Sequence, residues 1–221
     1  MIYIVDSADT TFIKKMMDKY EILGITTNPT IITKENKEYI PLLEELDNLL
    51  TGKDLHIQLV DETYEGMIAE AYKLQKIIKS KLHIKIPVSD AGFRAIRTLS
   101  KDGFSITATA ICSVNQGIMA AINGAEYLAV YVNRISNSGI DGNLVIKDIK
   151  DTLTKLNLDT KVVGASYKSV HQVTDSIRNG ADQVTVGKDL FEKLFYSEIT
   201  DKSITQFTKD FNDLYNKWGG K

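Results

Sequence analysis

Short β-rich runs recur along this chain, and the stretches between them carry the 3.6-residue period of amphipathic helices. The strand-like runs are Ile2–Asp6, Ile25–Asn28, Leu55–Val60, Ile84–Val88, Ser105–Ile111, Tyr127–Asn133, Lys161–Ser166 and Gln183–Val186. Between them lie segments such as "TTFIKKMMDKY", "EGMIAEAYKLQKIIKS", "AGFRAIRTLSKDG" and "SVHQVTDSIRNG". Several close on a glycine, at Gly103, Gly124 and Gly180, where a helix C-cap is expected. A doubly wound open sheet normally stops at about five or six strands. Eight strands alternating with helices within 221 residues fit a different α/β class, a single (β/α)8 TIM barrel.

No Pro- or Ser-rich linker divides the chain, so one domain is expected over residues 1–221. Residues 1–201 make the barrel, and the tail 202–221, "KSITQFTKDFNDLYNKWGGK", reads as an additional C-terminal helix. Its stripe of Ile204, Phe207, Phe211, Leu214, Tyr215 and Trp218 has no strand left to cover. Such a face packs either on its own barrel or on a neighbouring subunit.

Composition narrows the function classes. Hydrophobic residues at 43% and charged residues at 25% describe an ordinary globular chain. A net charge of −2, with no basic cluster among aromatics, gives no footprint for a nucleic-acid partner. No apolar run approaches the roughly 20 residues of a membrane span, and "MIYIVDSADT" lacks the pattern of a signal peptide. The single cysteine, Cys112, suits a reducing cytoplasm. One cysteine and three scattered histidines (His56, His83, His171) offer no zinc-ligand spacing, so no metal is expected and these residues read as structural.

The stretch "HIKIPVSDAG" is the unusual one. Ile84, Ile86 and Val88 should face the covering helices, which turns Lys85 into the barrel. Burying an ammonium is costly unless it is paired or loses its proton, and a neutral amine in a closed site is a nucleophile. The same parity turns Asp6, Thr26, Asn28, Gln58, Thr107 and Thr109 inward, with Tyr131 and Ser166 at strand ends. So many inward polar groups imply a hydrogen-bonded polar cavity, and active sites of this fold lie at the C-terminal ends of strands.

"GITTNPT" (Gly24–Thr30), "IKIPVSDAG" around Lys85, "YVNRI" (Tyr131–Ile135) and "GASYK" (Gly164–Lys168) resemble the transaldolase family over essentially the whole chain. The resemblance implies a class I aldolase whose lysine, here Lys85, forms a Schiff base with a ketose carbonyl and which needs neither metal nor cofactor. True transaldolases carry a Glu on the third strand, an Asn-x-Thr on the fifth and a Phe on the sixth. This chain has Gln58, Thr107-Ala108-Thr109 and Tyr131 there, replacements similar to the fructose-6-phosphate aldolase branch, which releases free dihydroxyacetone.

Each residue also has a plainer reading. Lys85 could snorkel at a strand end, Asp6 could cap the helix after "DSADTT", and Asn28 before Pro29 could shape a turn. Thr109 and Tyr131 could be core, and Arg134 and Lys168 solvated loop charges. The resemblance implies more specific roles. Asp6 serves in proton transfer, Asn28 binds hydroxyls of the three-carbon unit, and Gln58, Thr109 and Tyr131 hold a water, with Tyr131 donating a proton. Thr26 and Thr107 line the substrate side. Arg134, Ser166 and Lys168 follow the sixth and seventh strands, where barrels of this type bind phosphate.

The expected activity is cleavage of fructose 6-phosphate by a cytoplasmic aldolase acting on small sugar phosphates. Transaldolase transfer to an aldose phosphate, or a non-catalytic sugar-phosphate-binding barrel, stand as alternatives. The resemblance further implies a homo-oligomer, pentamer or decamer, with no nucleic-acid or membrane partner.

Overall fold

Every expected strand forms in the computed structural model, which describes residues 2–215. In chain order the elements are β1 (Tyr3–Asp6), α1 (Thr10–Lys19), β2 (Gly24–Thr26), α2 (Pro29–Lys34), α3 (Tyr39–Leu49), β3 (Asp54–Gln58), α4 (Tyr64–Ile77) and β4 (Lys81–Pro87). They continue with α5 (Asp90–Lys101), β5 (Ser105–Ile111), α6 (Val114–Ile122), β6 (Tyr127–Tyr131), α7 (Val132–Ser136) and α8 (Gly142–Lys155). The last are β7 (Lys161–Ala165), α9 (Val170–Arg178), β8 (Gln183–Gly187), α10 (Lys188–Phe191), a 3-10 turn (Glu192–Leu194) and α11 (Glu198–Tyr215). All neighbouring strands pair in parallel, and β8 pairs with β1, so the sheet closes into the expected (β/α)8 barrel.

Local chemistry sets where strands give way to helices. The side chains of Asp9, Asn28, Thr63, Ser89, Ser113, Asp141 and Ser169 each accept a main-chain N–H in the first turn of a helix. Helices take over the ends of two expected strands. Asn28 caps α2 instead of extending β2, and Val132 and Asn133 open α7 instead of extending β6. Ser166 leaves β7 at φ +61°, a left-handed backbone that ends the strand one residue early. Gly103, Gly124 and Gly180 do follow helix ends, at φ of 87°, 98° and 94°. At Gly24 the constraint is space, since a Cβ there would sit 2.0 Å from the Asp54 carbonyl oxygen on β3.

The strand parity divides the interior in two. Val5, Ile25, Leu55, Ile57, Ile84, Ile86, Ile106 and Leu128 join the helices in one outer core. Inside the barrel only a small apolar plug of Ile4, Tyr127 and Val163 forms among the described residues. The remaining inward positions are largely polar and buried, among them Thr26, His56, His83, Lys85, Thr107, Thr109 and Thr185.

Among the described residues no helix is long and apolar enough to cross a membrane. α11 starts at Glu198 rather than Lys202, because Ser197 accepts the N–H groups of Thr200 and Asp201. None of its residues is buried; Phe207 is 68% and Leu214 73% exposed. Trp218 of the expected stripe lies outside the described residues.

Candidate active site

β4 carries Lys85 inward between Gln58 on β3 and Thr107 on β5, its register partners. The side chain is 4% exposed. Among the described residues its Nζ has one hydrogen-bond partner, the carbonyl oxygen of Thr27 at 2.7 Å, which is a neutral group. Burial lowers the Lys85 pKa from the ordinary lysine value, while the Asp6 carboxylate pulls the other way. The geometry therefore favours a larger fraction of neutral amine than a surface lysine has.

Asp6 ends β1, half-buried, and its position there is fixed by β2. The Thr26 hydroxyl donates to Asp6 Oδ1 at 2.6 Å. Thr26 Oγ1 also meets Thr185 Oγ1 on β8. A hydroxyl has one hydrogen, so Thr185 must be the donor in that second bond. The result is an ordered chain, Thr185 to Thr26 to Asp6, that terminates on a carboxylate oxygen. Thr185 was not among the expected site residues, although the inward parity of "QVTVG" marks it in the same way as Thr26.

Gln58, Thr109 and Tyr131 supply further polar atoms at the C-terminal ends of their strands. Gln58 Oε1 is buried and has no hydrogen-bond partner among the described residues. Thr109 Oγ1 lies 3.4 Å from the Tyr131 phenol, a long contact. A shift of register between Ala108 and Ile111, with Ala110 at φ +59°, interrupts β5 beside Thr109; bulges of this kind re-aim side chains next to active sites. Asn28 is half-buried and caps α2, its Oδ1 accepting the Ile31 N–H at 3.0 Å, which leaves its amide NH2 unspent by that bond. Thr107 departs from expectation. Its hydroxyl lies 2.8 Å from His56 Nδ1 in a buried pair, engaged with the histidine instead of presented to the cavity.

The groups expected to hold phosphate lie on two segments that touch, α7 with Arg134 and the loop after β7 with Ser166 and Lys168. The Asn133 N–H meets the Ser166 carbonyl at 3.3 Å. Gln172 on α9 staples the same two segments, accepting from the Lys168 N–H at 2.8 Å and donating to Asn133 Oδ1 at 3.0 Å. Arg134 and Lys168 are exposed and Ser166 half-buried; the Arg134 guanidinium sits 5.0 Å from the centre of the Tyr131 ring. Sequence reasoning missed Gln172, a helix residue with no pattern to single it out.

The description Transaldolase/Fructose-6-phosphate aldolase belongs to a family model that matches residues 3–218. The chain belongs to this family. It is 35% identical over 218 residues to a Streptococcus pneumoniae protein named "Probable fructose-6-phosphate aldolase", covering 98% of both chains. A Methanococcus vannielii protein named "Probable transaldolase" is 34% identical over 96% of this chain and 98% of its own length. A Brachyspira hyodysenteriae protein of the same name is 32% identical over 98% of this chain and 100% of its own. As a member of the transaldolase/fructose-6-phosphate aldolase family the chain is an enzyme.

Proposed function

We propose that this enzyme is a class I aldolase that cleaves and forms the C3–C4 bond of fructose 6-phosphate. The observation that supports this best is Lys85, buried in the barrel and hydrogen-bonded only to a neutral carbonyl among the described residues. In this reading the neutral amine attacks the ketose C2 carbonyl, and loss of water leaves a protonated imine. Asp6 takes the proton of the C4 hydroxyl as the C3–C4 electron pair moves into the imine. Glyceraldehyde 3-phosphate departs and a three-carbon enamine stays on Lys85. Tyr131 supplies the proton that the enamine carbon takes up. A water held by Gln58, Thr109 and Tyr131 then adds to C2, freeing dihydroxyacetone and the amine. Asn28 meets the hydroxyls of the three-carbon unit, and Arg134, Ser166 and Lys168 meet the phosphate. No metal or cofactor takes part in these steps.

A second reading, transfer of the three-carbon unit to an aldose phosphate, is favoured by the names of the Methanococcus and Brachyspira relatives. Turnover of fructose 6-phosphate with and without erythrose 4-phosphate separates the two. Free dihydroxyacetone formed without acceptor supports the aldolase; product formed only with acceptor supports the transferase. Borohydride reduction in the presence of fructose 6-phosphate, followed by peptide mass spectrometry, tests the imine itself.

The same reading places the enzyme in the cytoplasm, where the exposed Cys112 thiol stays reduced. It also takes the enzyme to be a ring-like homo-oligomer, a pentamer or decamer, in which the bare apolar stripe of α11 is covered by a neighbouring copy.

A further inference from the structure

Among the described residues, the single hydrogen-bond partner of Lys85 Nζ is anchored on both sides. β2 closes at Thr26, and its paired register with β3 stops at Thr26–His56. Thr27, one residue further on, is 0% exposed. Its N–H donates to the His56 carbonyl at 2.9 Å, and its hydroxyl donates to the same oxygen at 3.1 Å. A carbonyl oxygen has two lone pairs, so both bonds form at once. On the other side Asn28 is locked as the cap of α2, its Oδ1 accepting the Ile31 N–H and its carbonyl the Ile32 N–H, each at 3.0 Å. The Thr27 carbonyl between these anchors is aimed into the barrel, 2.7 Å from Lys85 Nζ.

A fixed oxygen acceptor here discriminates between the states that the nitrogen passes through. Neutral Lys85 carries two protons and one lone pair. Spending one N–H on Thr27 leaves the lone pair free for a carbonyl carbon in the cavity. In imine formation the Nζ–C2 bond forms and the C2–O bond breaks. One amine proton leaves in the water, together with one taken up from solvent, and the other stays on nitrogen. That remaining proton can only be donated, and a carbonyl oxygen can only accept. A neutral imine would instead face Thr27 lone pair to lone pair. The contact therefore favours the protonated imine, the form that draws in the C3–C4 electron pair. A hydrogen bond from a charged donor is also roughly twice as strong as a neutral one. A carboxylate in this place would offset the positive charge that makes the imine an electron sink, and would hold free Lys85 as an ammonium. A neutral carbonyl keeps the proton and leaves the charge. Asp6 is engaged elsewhere, its Oδ1 accepting the Thr26 hydroxyl.

We propose that the Thr27 main-chain carbonyl is a catalytic group of this site, accepting the N–H of the protonated imine on Lys85, and that the Thr27 hydroxyl positions it. This role rests on the aldolase reading, in its lyase or its transferase form, since both pass through the same imine. Thr27 falls outside the inward parity of Thr26 and Asn28. Its backbone supplies the acceptor, while its side chain works from behind, on the His56 carbonyl of β3.

Wild-type crystals soaked with dihydroxyacetone should show the imine nitrogen within hydrogen-bond distance of the Thr27 oxygen. In infrared difference spectra of the same adduct in solution, the C=N stretch separates protonated from neutral imine, and its pH titration gives the midpoint of the imine itself. Thr27→Val keeps the shape and deletes the hydroxyl. It should lower that midpoint by roughly half a pH unit, the size of one modest hydrogen bond. It should also lower kcat by roughly threefold with KM little changed. Thr27→Ser should return both toward wild type. Loss of packing alone would lower stability without moving the midpoint. Should Thr27→Val fail to fold, the wild-type adduct still decides. The proposal is overturned by an imine nitrogen out of reach of Thr27, or by a Thr27→Val midpoint equal to that of wild type. Wild-type protein on which borohydride traps no adduct would remove the aldolase reading, and this role with it; an adduct turned away from Thr27 removes this role alone.

Discussion

Lys85 Nζ donates a 2.7 Å hydrogen bond to the main-chain carbonyl of Thr27, a neutral group that only partly compensates a buried ammonium. Replacing Lys85 with Met, of similar length and apolar, should therefore abolish turnover and raise stability at neutral pH. The sign follows from the lowered pKa of Lys85 in the folded chain. Between that lowered value and 10.5 the unfolded chain binds the extra proton, so wild-type stability gains with pH across this window. Lys85→Met lacks the gain, and its advantage over wild type should shrink as pH rises toward 10.5. Urea midpoints of both proteins at several pH values measure this; an advantage independent of pH would mean that Lys85 is not strained by burial. Borohydride should trap no adduct on the variant.

The Thr185–Thr26–Asp6 chain makes Thr185 a positioning residue, since its hydroxyl reaches Asp6 only through Thr26. Thr185→Val keeps the shape and removes the donor. Loss of one hydrogen bond of about 1–1.5 kcal/mol predicts a fall in kcat of roughly tenfold, with KM little changed. Thr185→Ser should restore most of the rate. Steady-state kinetics of the two variants is the measurement, and equal loss in both would reduce Thr185 to packing.

Arg134→Ala should raise KM for glyceraldehyde 3-phosphate in the synthetic direction by roughly tenfold or more, as expected for a charged hydrogen bond. The KM for unphosphorylated glyceraldehyde should barely move. Gln172→Ala should show the same selectivity in weaker form, because it ties Asn133, beside Arg134, to the Lys168 backbone. Equal effects on both aldehydes would remove the phosphate role from these residues.

Periodicity made the barrel readable, because a two-residue strand period and a 3.6-residue helix period leave different marks in a chain. Lys85 was readable for the same reason, as one cationic residue on the wrong parity of an apolar strand. Strand ends were not. At Asn28 and Val132 the competition between strand and helix is settled by capping and by packing after closure, so "TTN" and "YVN" were read two residues too long. The stacked His56–His83 pair was invisible for a deeper reason. His56 and His83 become neighbours only through the β3–β4 register, and nothing local distinguishes them from core histidines.

α11 presents Ile199, Ile204, Phe207, Leu214 and Tyr215 at 55% exposure or more, and none of its 18 residues is buried. Burying a large apolar side chain contributes about 1.5–3 kcal/mol, so several of them seated on another copy would anchor a subunit. The preceding segment is different in kind. Phe195 packs 5.2 Å from Tyr3 and 4.6 Å from Tyr20, so it belongs to the barrel and should be kept. Ending the chain at Ser197 therefore removes the helix without exposing the Tyr3–Tyr20–Phe195 cluster. The truncated protein should retain its barrel by circular dichroism and shift to smaller species in light scattering. Its borohydride-trappable lysine should persist, because Lys85 and its Thr27 partner lie wholly within the barrel. An unchanged mass in solution would assign the stripe to some surface other than a second copy of this chain.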